Sequence, residues 1–434
     1  MKYLGRVLLG EGMPLLLLFT GLFFGALLGR YLLPHPRKCF SLMLGGERGS
    51  GSSARALAVA LAGTLGVGNI AGVATAIALG GAGSVFWMLL AAFAAMPLKY
   101  AEITLAQVHR KTCADGTGYG GAPYYIRAVL GGRVGKLIAA FFAVLLLFCT
   151  LTLGTALQAH AAAEAFAGVF RTPPVAVGVL LALLAGGILF SGTTLAERVL
   201  AALVPFLCVG FAVASLAVIF TRRAALPAAF AAIWQGAFTL EAGLGGVLGM
   251  LSSRAVRMGV ARGLVSNEAG CGTAPTAHAA ANAKSPAAQG LWGILEVFVD
   301  TVVLCTLTAL VILVTVGEST GEGVMLAISA FGAVLGPTFP PLIAVSVFLF
   351  ALATVLCWTR YGVEALAYLT DSHNGARLLI LAVCLATALG AVISPDFVWG
   401  ATDLVLALMT VINLAVLILS RRIILDETKR LFLK

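Results

Sequence analysis

The stretch Leu61-Ala-Gly-Thr-Leu-Gly-Val-Gly-Asn-Ile-Ala-Gly72 decides the fold of this chain, because it places several glycines in the middle of a long apolar run. A second stretch has the same character and reads Phe238-Thr-Leu-Glu-Ala-Gly-Leu-Gly-Gly-Val-Leu-Gly249. Glycine is a poor helix former, so each stretch lowers the cost of unwinding a helix near its centre. We therefore expect two helices that are interrupted near their midpoints.

The composition around these stretches is that of an integral membrane protein. Of the 434 residues, 60% are hydrophobic and 11% are charged, whereas an ordinary soluble domain carries about 25% charged residues. So few charges cannot coat a globule of this size, which excludes soluble enzymes and disordered, coiled-coil or collagen-like chains. The net charge of +10 is then expected in cytoplasmic loops and not on a nucleic-acid surface.

Eleven apolar runs are long enough to cross a bilayer, whose hydrocarbon core of about 30 Å needs about 20 helical residues. The first run lacks a small-residue cleavage site and is interpreted as a retained helix, not as a signal peptide. The predicted fold class is all-α and integral to the membrane. The predicted spans are residues 13–33, 54–79, 84–109, 136–166, 174–190, 196–220, 229–252, 286–316, 341–369, 376–393 and 398–420.

Basic residues fall mostly on one side of these spans. The minority side contains Lys2, Arg6, Arg171, Arg222 and Arg223. The majority side contains, among others, Arg37, Arg110, Arg133, Arg254, Arg257, Arg262 and Arg421. The side richer in Lys and Arg is normally cytoplasmic. This asymmetry predicts a multi-pass protein of the plasma (inner) membrane, with its N-terminus outside and its C-terminus in the cytoplasm.

The two interrupted helices are predicted to head two five-helix units, residues 54–220 and 229–420, within one transmembrane transporter domain, 1–434. The helix at 13–33 lies outside this repeat as a peripheral N-terminal helix. An odd number of helices per unit gives the second unit inverted topology, and matching interrupted helices in two such units indicate a transporter binding site. The glycines of the first stretch also have GxxxG spacing, so a helix-packing face is the alternative.

An unwound turn inside a membrane exposes backbone groups that need partners. Its carbonyls can bind a cation, and the N–H groups that begin the next half-helix suit a carboxylate. A zwitterionic amino acid together with Na⁺ satisfies both sets. The side-chain oxygens predicted to join the cation are those of Thr64, Asn69, Thr239 and Thr354. Substrate contacts are predicted at Thr64, Gly66, Gly68, Asn69, Gln158, Phe238, Thr239 and Gly243.

Structural roles are the alternatives for the polar members of this set. Thr64 and Asn69 are also ordinary small polar residues of a helix bundle, and Gln158 is equally suited to clamp one helix to another. Thr354 has the same two interpretations. Phe238 is either a wall for the substrate side chain or a plain core residue.

Acidic residues inside the apolar runs are candidates for coupling the cation to transport. Asp300 lies near the middle of the span 286–316, where an ionisable group is costly and usually functional. It is either a proton or cation relay or an acceptor for nearby hydroxyls. Glu241, inside the second glycine-rich stretch, is the other candidate. Glu102 follows Lys99 at i,i+3, which predicts a local ion pair between them.

Several segments resemble the alanine or glycine:cation symporter family. The longest are 61–84 and the stretch Gly263-Leu-Val-Ser-Asn-Glu-Ala-Gly-Cys-Gly-Thr-Ala-Pro-Thr-Ala-His-Ala-Ala-Ala-Asn282. Shorter segments at 120–127, 297–301 and 358–362 extend the resemblance over nearly the whole chain. The resemblance implies a LeuT-type fold and inward transport of small amino acids with Na⁺, and in some members with H⁺.

The resemblance also implies a Na⁺ site at the first break, with backbone carbonyls and side chains of Ala62, Thr64, Leu65 and Asn69 as its ligands. One departure is that Ala353 stands beside Thr354, where the family commonly has a second hydroxyl. The segment 266–270 matches the family best. The charge distribution makes this segment cytoplasmic, either as an inner gate or as a structural turn before the next helix.

The sequence as a whole predicts a secondary active symporter that imports alanine and glycine across the plasma membrane, driven by Na⁺ or by H⁺. The alternative is a transporter of the same fold for another small solute, such as a nucleobase. An enzyme is not predicted, because no set of His, Asp, Ser or Cys clusters at one depth. No cofactor is expected beyond the coupling ion. The expected partners are the amino acid, Na⁺ and membrane lipid, with no nucleic acid; the oligomeric state is left open and a monomer suffices.

Overall fold

The computed structural model of the chain describes residues 12–44, 50–112, 118–238, 254–316, 323–370 and 373–433. Most of these residues are helical, which confirms the predicted all-α class. The described strands are β1 (Lys111–Thr112) and β2 (Gly118–Tyr119), which form one short antiparallel ribbon.

The helices are numbered along the chain. The first part of the chain contains α1 (Met13–Leu32), α2 (Pro36–Leu44), α3 (Ser50–Thr64), α4 (Ala71–Gly80), α5 (Gly83–Val108), α6 (Ala122–Leu130), α7 (Gly132–Leu151), α8 (Leu157–Phe170), α9 (Pro174–Phe190) and α10 (Thr193–Thr221). The second part contains α11 (Leu226–Ala237), α12 (Arg254–Asn267), α13 (Pro275–Ala279), α14 (Pro286–Val297), α15 (Thr306–Thr315), α16 (Gly323–Leu335), α17 (Phe339–Leu369), α18 (His373–Gly390), α19 (Pro395–Leu419) and α20 (Arg421–Phe432).

Within the described ranges, seven helical segments are long and apolar enough to cross a membrane, and an eighth qualifies if the bent pair α3–α4 counts as one span. The seven lie in α1, α5, α7–α8, α10, α14–α15, α17 and α19. Most of the predicted spans therefore coincide with helices, and the predicted span 174–190 has the bounds of α9. The apolar helix α16 and the polar helix α20 are not among the predicted spans.

The side chains are distributed as expected for a protein surrounded by lipid, with apolar groups outside and ionisable groups inside. Leu137, Phe206 and Leu378 are at least 70% exposed, so large apolar groups cover the outside of the helix bundle. Lys99 and Glu102 are 0% exposed, so ionisable groups lie at its centre. Charged groups inside a membrane protein are costly and are retained mainly for function. The interior of the bundle is therefore where the functional site is expected.

The first predicted interruption is present. Helix α3 ends at Thr64, a single 3₁₀ turn occupies Val67–Asn69, and α4 follows from Ala71. The two halves of this broken helix meet at an angle of 62°. Gly66 has extended backbone angles, φ −106° and ψ −156°, and so interrupts the helical hydrogen-bond ladder.

The predicted span 229–252 is described only as far as Phe238. Helix α11 ends at Ala237, whose carbonyl accepts a hydrogen bond of 3.0 Å from Trp87 Nε1 near the start of α5. The next helix, α12, begins beside the same end of α5, because the Arg254 carbonyl lies 3.2 Å from an ideal Cβ at Gly80. The residues between these two helices, including Thr239, Glu241 and Gly243, lie outside the described part of the chain.

The segment that runs the length of α5 consists of α12, a non-helical stretch and α13. Near its start, an ideal Cβ at Gly259 would lie 2.2 Å from the Ser84 carbonyl oxygen, in the first turn of α5. Near its end, the His278 carbonyl accepts a hydrogen bond of 2.5 Å from Gln107, in the last turn of α5. Residues 254–279 therefore form a second interrupted crossing.

This path also corrects the side assigned to the arginines of α12. Arg254 lies at the turn between α4 and α5, which the predicted sidedness places outside. Arg257 is one turn further along α12, and Arg262 lies more than two turns from Arg254 towards the middle of the molecule. The charge count instead groups these arginines with Arg110, which follows the opposite end of α5.

Candidate functional site

Side chains from two other helices pack closely against Gly66 in the first break. An ideal Cβ at Gly66 would lie 2.8 Å from Gln158 Oε1 and 2.8 Å from Thr354 Oγ1. Real Cβ atoms do not approach oxygens so closely, so any side chain at this position would displace Gln158 and Thr354. The absence of a side chain lets polar groups from α8 and α17 reach the backbone of the broken helix.

Gln158 satisfies the backbone at the break. Its Oε1 accepts a hydrogen bond of 3.1 Å from the Val67 N–H, and its Nε2 donates one of 3.1 Å to the Leu153 carbonyl. A π-helical turn at Thr152–Ala156 precedes it, and such turns occur frequently at functional sites. Gln158 therefore links α8 to the broken helix, and its side chain also lines the cavity described below.

Thr354 of α17 contacts a backbone carbonyl of the first broken helix. Its hydroxyl donates a hydrogen bond of 2.9 Å to the Ala62 carbonyl. Thr64 follows two residues later in the same helix, and its hydroxyl is 3.4 Å from the carbonyls of Ala60 and Leu61. The oxygens of Ala62, Thr64 and Thr354 therefore lie at the α3 end of the break.

Asn69 lies on the other side of the break. Its Nδ2 donates to Asp300 twice, at 2.7 Å to Oδ1 and at 3.1 Å to the backbone carbonyl. Its Oδ1 is buried and has no hydrogen-bond partner among the described residues. A void of about 10 Å³, which is room for about one water molecule, is lined by Asn69, Leu65 and Gly66 among others.

Asp300 joins the two interrupted helices. Besides Asn69 of the first break, Ser266 at the end of α12 donates to Asp300 Oδ2 at 2.9 Å. The Thr301 hydroxyl donates to the same oxygen at 2.7 Å. The carboxylate is 0% exposed and lies in a π-helical segment, Phe298–Cys305. Asp300 is thus both an acceptor for hydroxyls and a residue that bridges the two interrupted helices.

The second break is formed by residues 268–274 and overlaps the segment 266–270, which the charge distribution made cytoplasmic. This segment is buried between α12 and α13, so it is not a surface loop. The backbone is left-handed at Glu268 (φ +52°), at Gly270 (+84°) and at Gly272 (+76°), and this conformation ends the helix. The Asn267 side chain accepts a hydrogen bond of 3.1 Å from the Ala269 N–H and so supports the turn.

Lys99 and Glu102 of α5 bind the two ends of the second break and not each other, which corrects the predicted ion pair. Lys99 Nζ donates at 2.7 Å to the carbonyl of Asn267, the last residue of α12. Glu102 Oε1 accepts a hydrogen bond of 3.1 Å from the Gly272 N–H. A cation at a helix C-terminus and an anion near the next N-terminus both oppose the exposed helix dipoles. Lys99 is neutralised by Glu296, 3.2 Å away.

A cavity of about 400 Å³ adjoins both breaks. From the first break it is lined by residues that include Gly63, Thr64, Gly66, Val67, Gly68 and Thr75. From the second interrupted crossing it is lined by Arg262, Val265 and Glu268. Other walls are formed by Leu153, Leu157, Gln158, His160, Glu164, Trp358 and Trp399. Leu79, 45% exposed, and Gly323 lie at its outer limit, so the cavity leads from the breaks to one end of the bundle.

The structure therefore brings four of the predicted substrate residues together in one cavity wall: Thr64, Gly66, Gly68 and Gln158. Asn69 lies behind this wall, against Asp300. Phe238 is placed elsewhere, with its ring 5.1 Å from the ring of Phe86 and 4.9 Å from that of Trp234. The predicted residues Thr239, Glu241 and Gly243 lie outside the described residues.

Glu268 and Trp358 are among the cavity residues that the sequence does not predict. Glu268 belongs to a polar, glycine-rich segment, and such a segment normally forms a loop. Trp358 lies in an apolar run of α17, where an aromatic residue is usually part of the core. Both residues belong to segments that carry the family resemblance, and this resemblance is the feature of the sequence that points to them.

Helices that are broken inside the membrane allow secondary transporters to expose backbone groups to a solute, and two such helices border one cavity here. This arrangement places the chain in the class of secondary membrane transporters. A family model described as the sodium:alanine symporter family matches residues 1–432, so the chain belongs to that family.

Curated relatives match along almost the whole chain. An uncharacterized transporter of Haemophilus influenzae is 37% identical over 97% of this chain and 93% of its own length. The sodium/alanine symporter AgcS of Methanococcus maripaludis is 35% identical, over 97% of this chain and 94% of that protein. The amino-acid carrier protein AlsT of Bacillus subtilis is 34% identical, over 96% and 87%.

These matches confirm the resemblance found in the sequence. The chain is an amino-acid:cation symporter by family and not an enzyme, as predicted. The alternative of a nucleobase transporter is not favoured by these relatives.

Proposed function

We propose that this protein imports small neutral amino acids, alanine and glycine, across the plasma (inner) membrane by symport with Na⁺. The observation that carries the proposal is the cavity that adjoins both breaks. Its inner wall combines the exposed backbone of Gly66 and Gly68 with the polar side chains of Thr64 and Gln158. Hydrogen-bonding groups of this kind suit a small zwitterion better than an apolar solute.

The substrate carboxylate is proposed to bind at the start of α4. The N–H groups of the first turn of a helix have no partner within the helix, and the positive end of its dipole favours an anion. Gly68, in the 3₁₀ turn just before α4, lines the cavity at this point. The bulky side chain of Trp358 bounds the same cavity, which supports selection of small side chains.

Na⁺ is proposed to bind at the breaks, because it prefers several hard oxygen ligands. One oxygen group consists of the Ala62 carbonyl and the hydroxyls of Thr64 and Thr354, with the Leu65 carbonyl next in the chain. The other consists of the unpartnered Asn69 Oδ1 and the oxygens around Asp300. Asp300 would supply the compensating negative charge. Since Asp300 is also titratable, H⁺ is the competing coupling ion.

The proposed architecture is an inverted repeat of two five-helix units, 54–220 and 229–420, with the first helix outside it. The second interrupted crossing, 254–279, then takes the place of the glycine-rich stretch in the second unit. The N-terminus is proposed to lie outside and the C-terminus in the cytoplasm, so that the cavity leads to the outer face. The observed contact of the two breaks at Asp300 supports this pairing of the units.

A substrate panel tests the proposed specificity. Purified protein in proteoliposomes is given labelled glycine, alanine, leucine or tryptophan, with and without an inward Na⁺ gradient. We expect glycine and alanine to accumulate and leucine and tryptophan to be transported poorly, because Trp358 and the close helix approach at Gly66 limit the cavity. Efficient tryptophan uptake with weak alanine uptake would contradict the proposal.

A further inference from the structure

Glu268 is a buried carboxylate to which the proposed function assigns no role. It lies in the second break, is 4% exposed, and has a left-handed backbone with φ +52°. This conformation is uncommon for a residue with a side chain, and positions of this kind cluster at functional sites. A strained acid in the interior of a transporter needs a functional explanation.

Its carboxylate is held in place by two donors. Trp358 Nε1 donates to Oε1 at 3.1 Å, and the Thr273 hydroxyl donates to Oε2 at 2.7 Å. An ionised carboxylate has about four acceptor positions, so each oxygen can accept a further hydrogen bond. Glu268 and Trp358 both line the cavity, which places this acceptor capacity in the cavity wall.

Glu268 is near the buried cation Lys99 but is not in direct contact with it. Within the described part of the chain it has no salt-bridge partner. Lys99 pairs with Glu296, and Arg262, the arginine of the cavity wall, stacks on the ring of Trp399 at 4.6 Å. A buried charge without a direct counter-charge is costly. A cation arriving from the cavity would remove this cost.

We propose that Glu268 binds the ammonium group of the transported amino acid. The inference rests on the proposed function, which supplies an amino acid as the cavity's occupant. The other acid of the cavity wall, Glu164, lies against Gly323 at the outer limit of the cavity. Asp300 is not part of the wall, and its carboxylate is already bonded to three donors, which are Asn69, Ser266 and Thr301.

Binding of the ammonium group by the Glu268 carboxylate predicts which of two similar ligands the protein binds more tightly. Lactate has the carbon skeleton and carboxylate of alanine but carries a hydroxyl in place of the ammonium. The wild-type protein should therefore bind alanine far more tightly than lactate. The Glu268→Gln variant keeps the shape of the side chain and removes its charge, so it should lose most of this preference.

The test is the equilibrium binding of alanine and of lactate to purified protein in saturating Na⁺. We expect the ratio of the two dissociation constants to fall about tenfold or more in Glu268→Gln, since hydrogen bonds to charged groups are the strong ones. Glu427→Gln, which removes a carboxylate that pairs with Arg430 on α20, is the matched control and should keep the wild-type ratio. An unchanged ratio in a folded Glu268→Gln variant would overturn the inference.

If Glu268→Gln does not fold, alanine and lactate binding to the wild-type protein still tests the inference. Lactate binding as tight as alanine binding would overturn it without any variant. Failure of the proposed function gives a different result, because wild-type protein would then bind neither glycine nor alanine. A loss of Na⁺ affinity in Glu268→Gln with an unchanged alanine-to-lactate ratio would assign Glu268 to the cation and overturn its role with the ammonium group.

Discussion

Gly66 is the residue at which the packing around the first break is tightest. A methyl group there would lie 2.8 Å from both Gln158 Oε1 and Thr354 Oγ1. We expect Gly66→Ala to lower the initial rate of alanine uptake at least about tenfold, because overpacking of about 1–3 kcal/mol would displace these two groups. The measurement is uptake in proteoliposomes at matched protein content.

Gly187 provides the control for this substitution. It lies within α9, and an ideal Cβ there meets no atom within 4 Å. Gly187→Ala should therefore leave uptake unchanged. Equal loss in both variants would mean that Gly66 is an ordinary helix glycine.

Substitution of Asn69 tests the proposed cation site at the same break. Its amide donates to Asp300 while its Oδ1 is left free of partners among the described residues. We expect Asn69→Ala to raise the Na⁺ concentration needed for half-maximal uptake, because the variant loses a ligand and a donor to the Asp300 carboxylate. The protein should stay folded and membrane-inserted. Unchanged Na⁺ dependence would indicate that Asn69 only packs the helices together.

At the scale of elements, the second break depends on charges from α5. Lys99 binds the end of α12 and is paired with Glu296 in a site with no exposure to solvent. Removing one member of a buried ion pair leaves an uncompensated charge, so Lys99→Met should lower the free energy of unfolding by about 3–5 kcal/mol. Thermal unfolding in detergent measures this effect.

A double-variant cycle separates the ion pair from general packing. Glu296→Met added to Lys99→Met removes the stranded carboxylate, so the double variant should be less destabilised than the sum of the single variants. Additive losses would show that Lys99 acts on the second break independently of Glu296.

The two breaks differ in how far the sequence could reveal them. The first break is predictable because its glycines interrupt an otherwise apolar span, which is a purely local signal. The second break is not, because Ser266 to Gly272 is polar and resembles a loop. Its burial is stabilised by Lys99, Glu102 and Asn413, which are distant in sequence and satisfy its free backbone groups. The amino-acid composition of the segment itself does not indicate such distant partners.

The candidate site was predictable to a similar extent. Thr64, Gly66, Gly68 and Gln158 were found because polar or glycine residues stand out in apolar runs. Asp300 stood out for the same reason, but its contact with both breaks required the three-dimensional structure. Glu268 was obscured by its polar neighbours.

In the molecule as a whole, two interrupted crossings meet at Asp300, and we propose that they couple a cation to an amino acid in the adjoining cavity. The family membership supports the coupling, and the choice between Na⁺ and H⁺ remains a proposal. The oxygen groups at the first break favour Na⁺, whereas the titratable side chain of Asp300 is what a proton would need.

The most direct test is the uptake of labelled alanine into proteoliposomes at a fixed membrane potential, under either an imposed Na⁺ gradient or an imposed pH gradient. We predict that alanine accumulates with the inward Na⁺ gradient and not with the pH gradient. Accumulation that follows the pH gradient in Na⁺-free buffer, and that disappears in Asp300→Asn, would contradict the account.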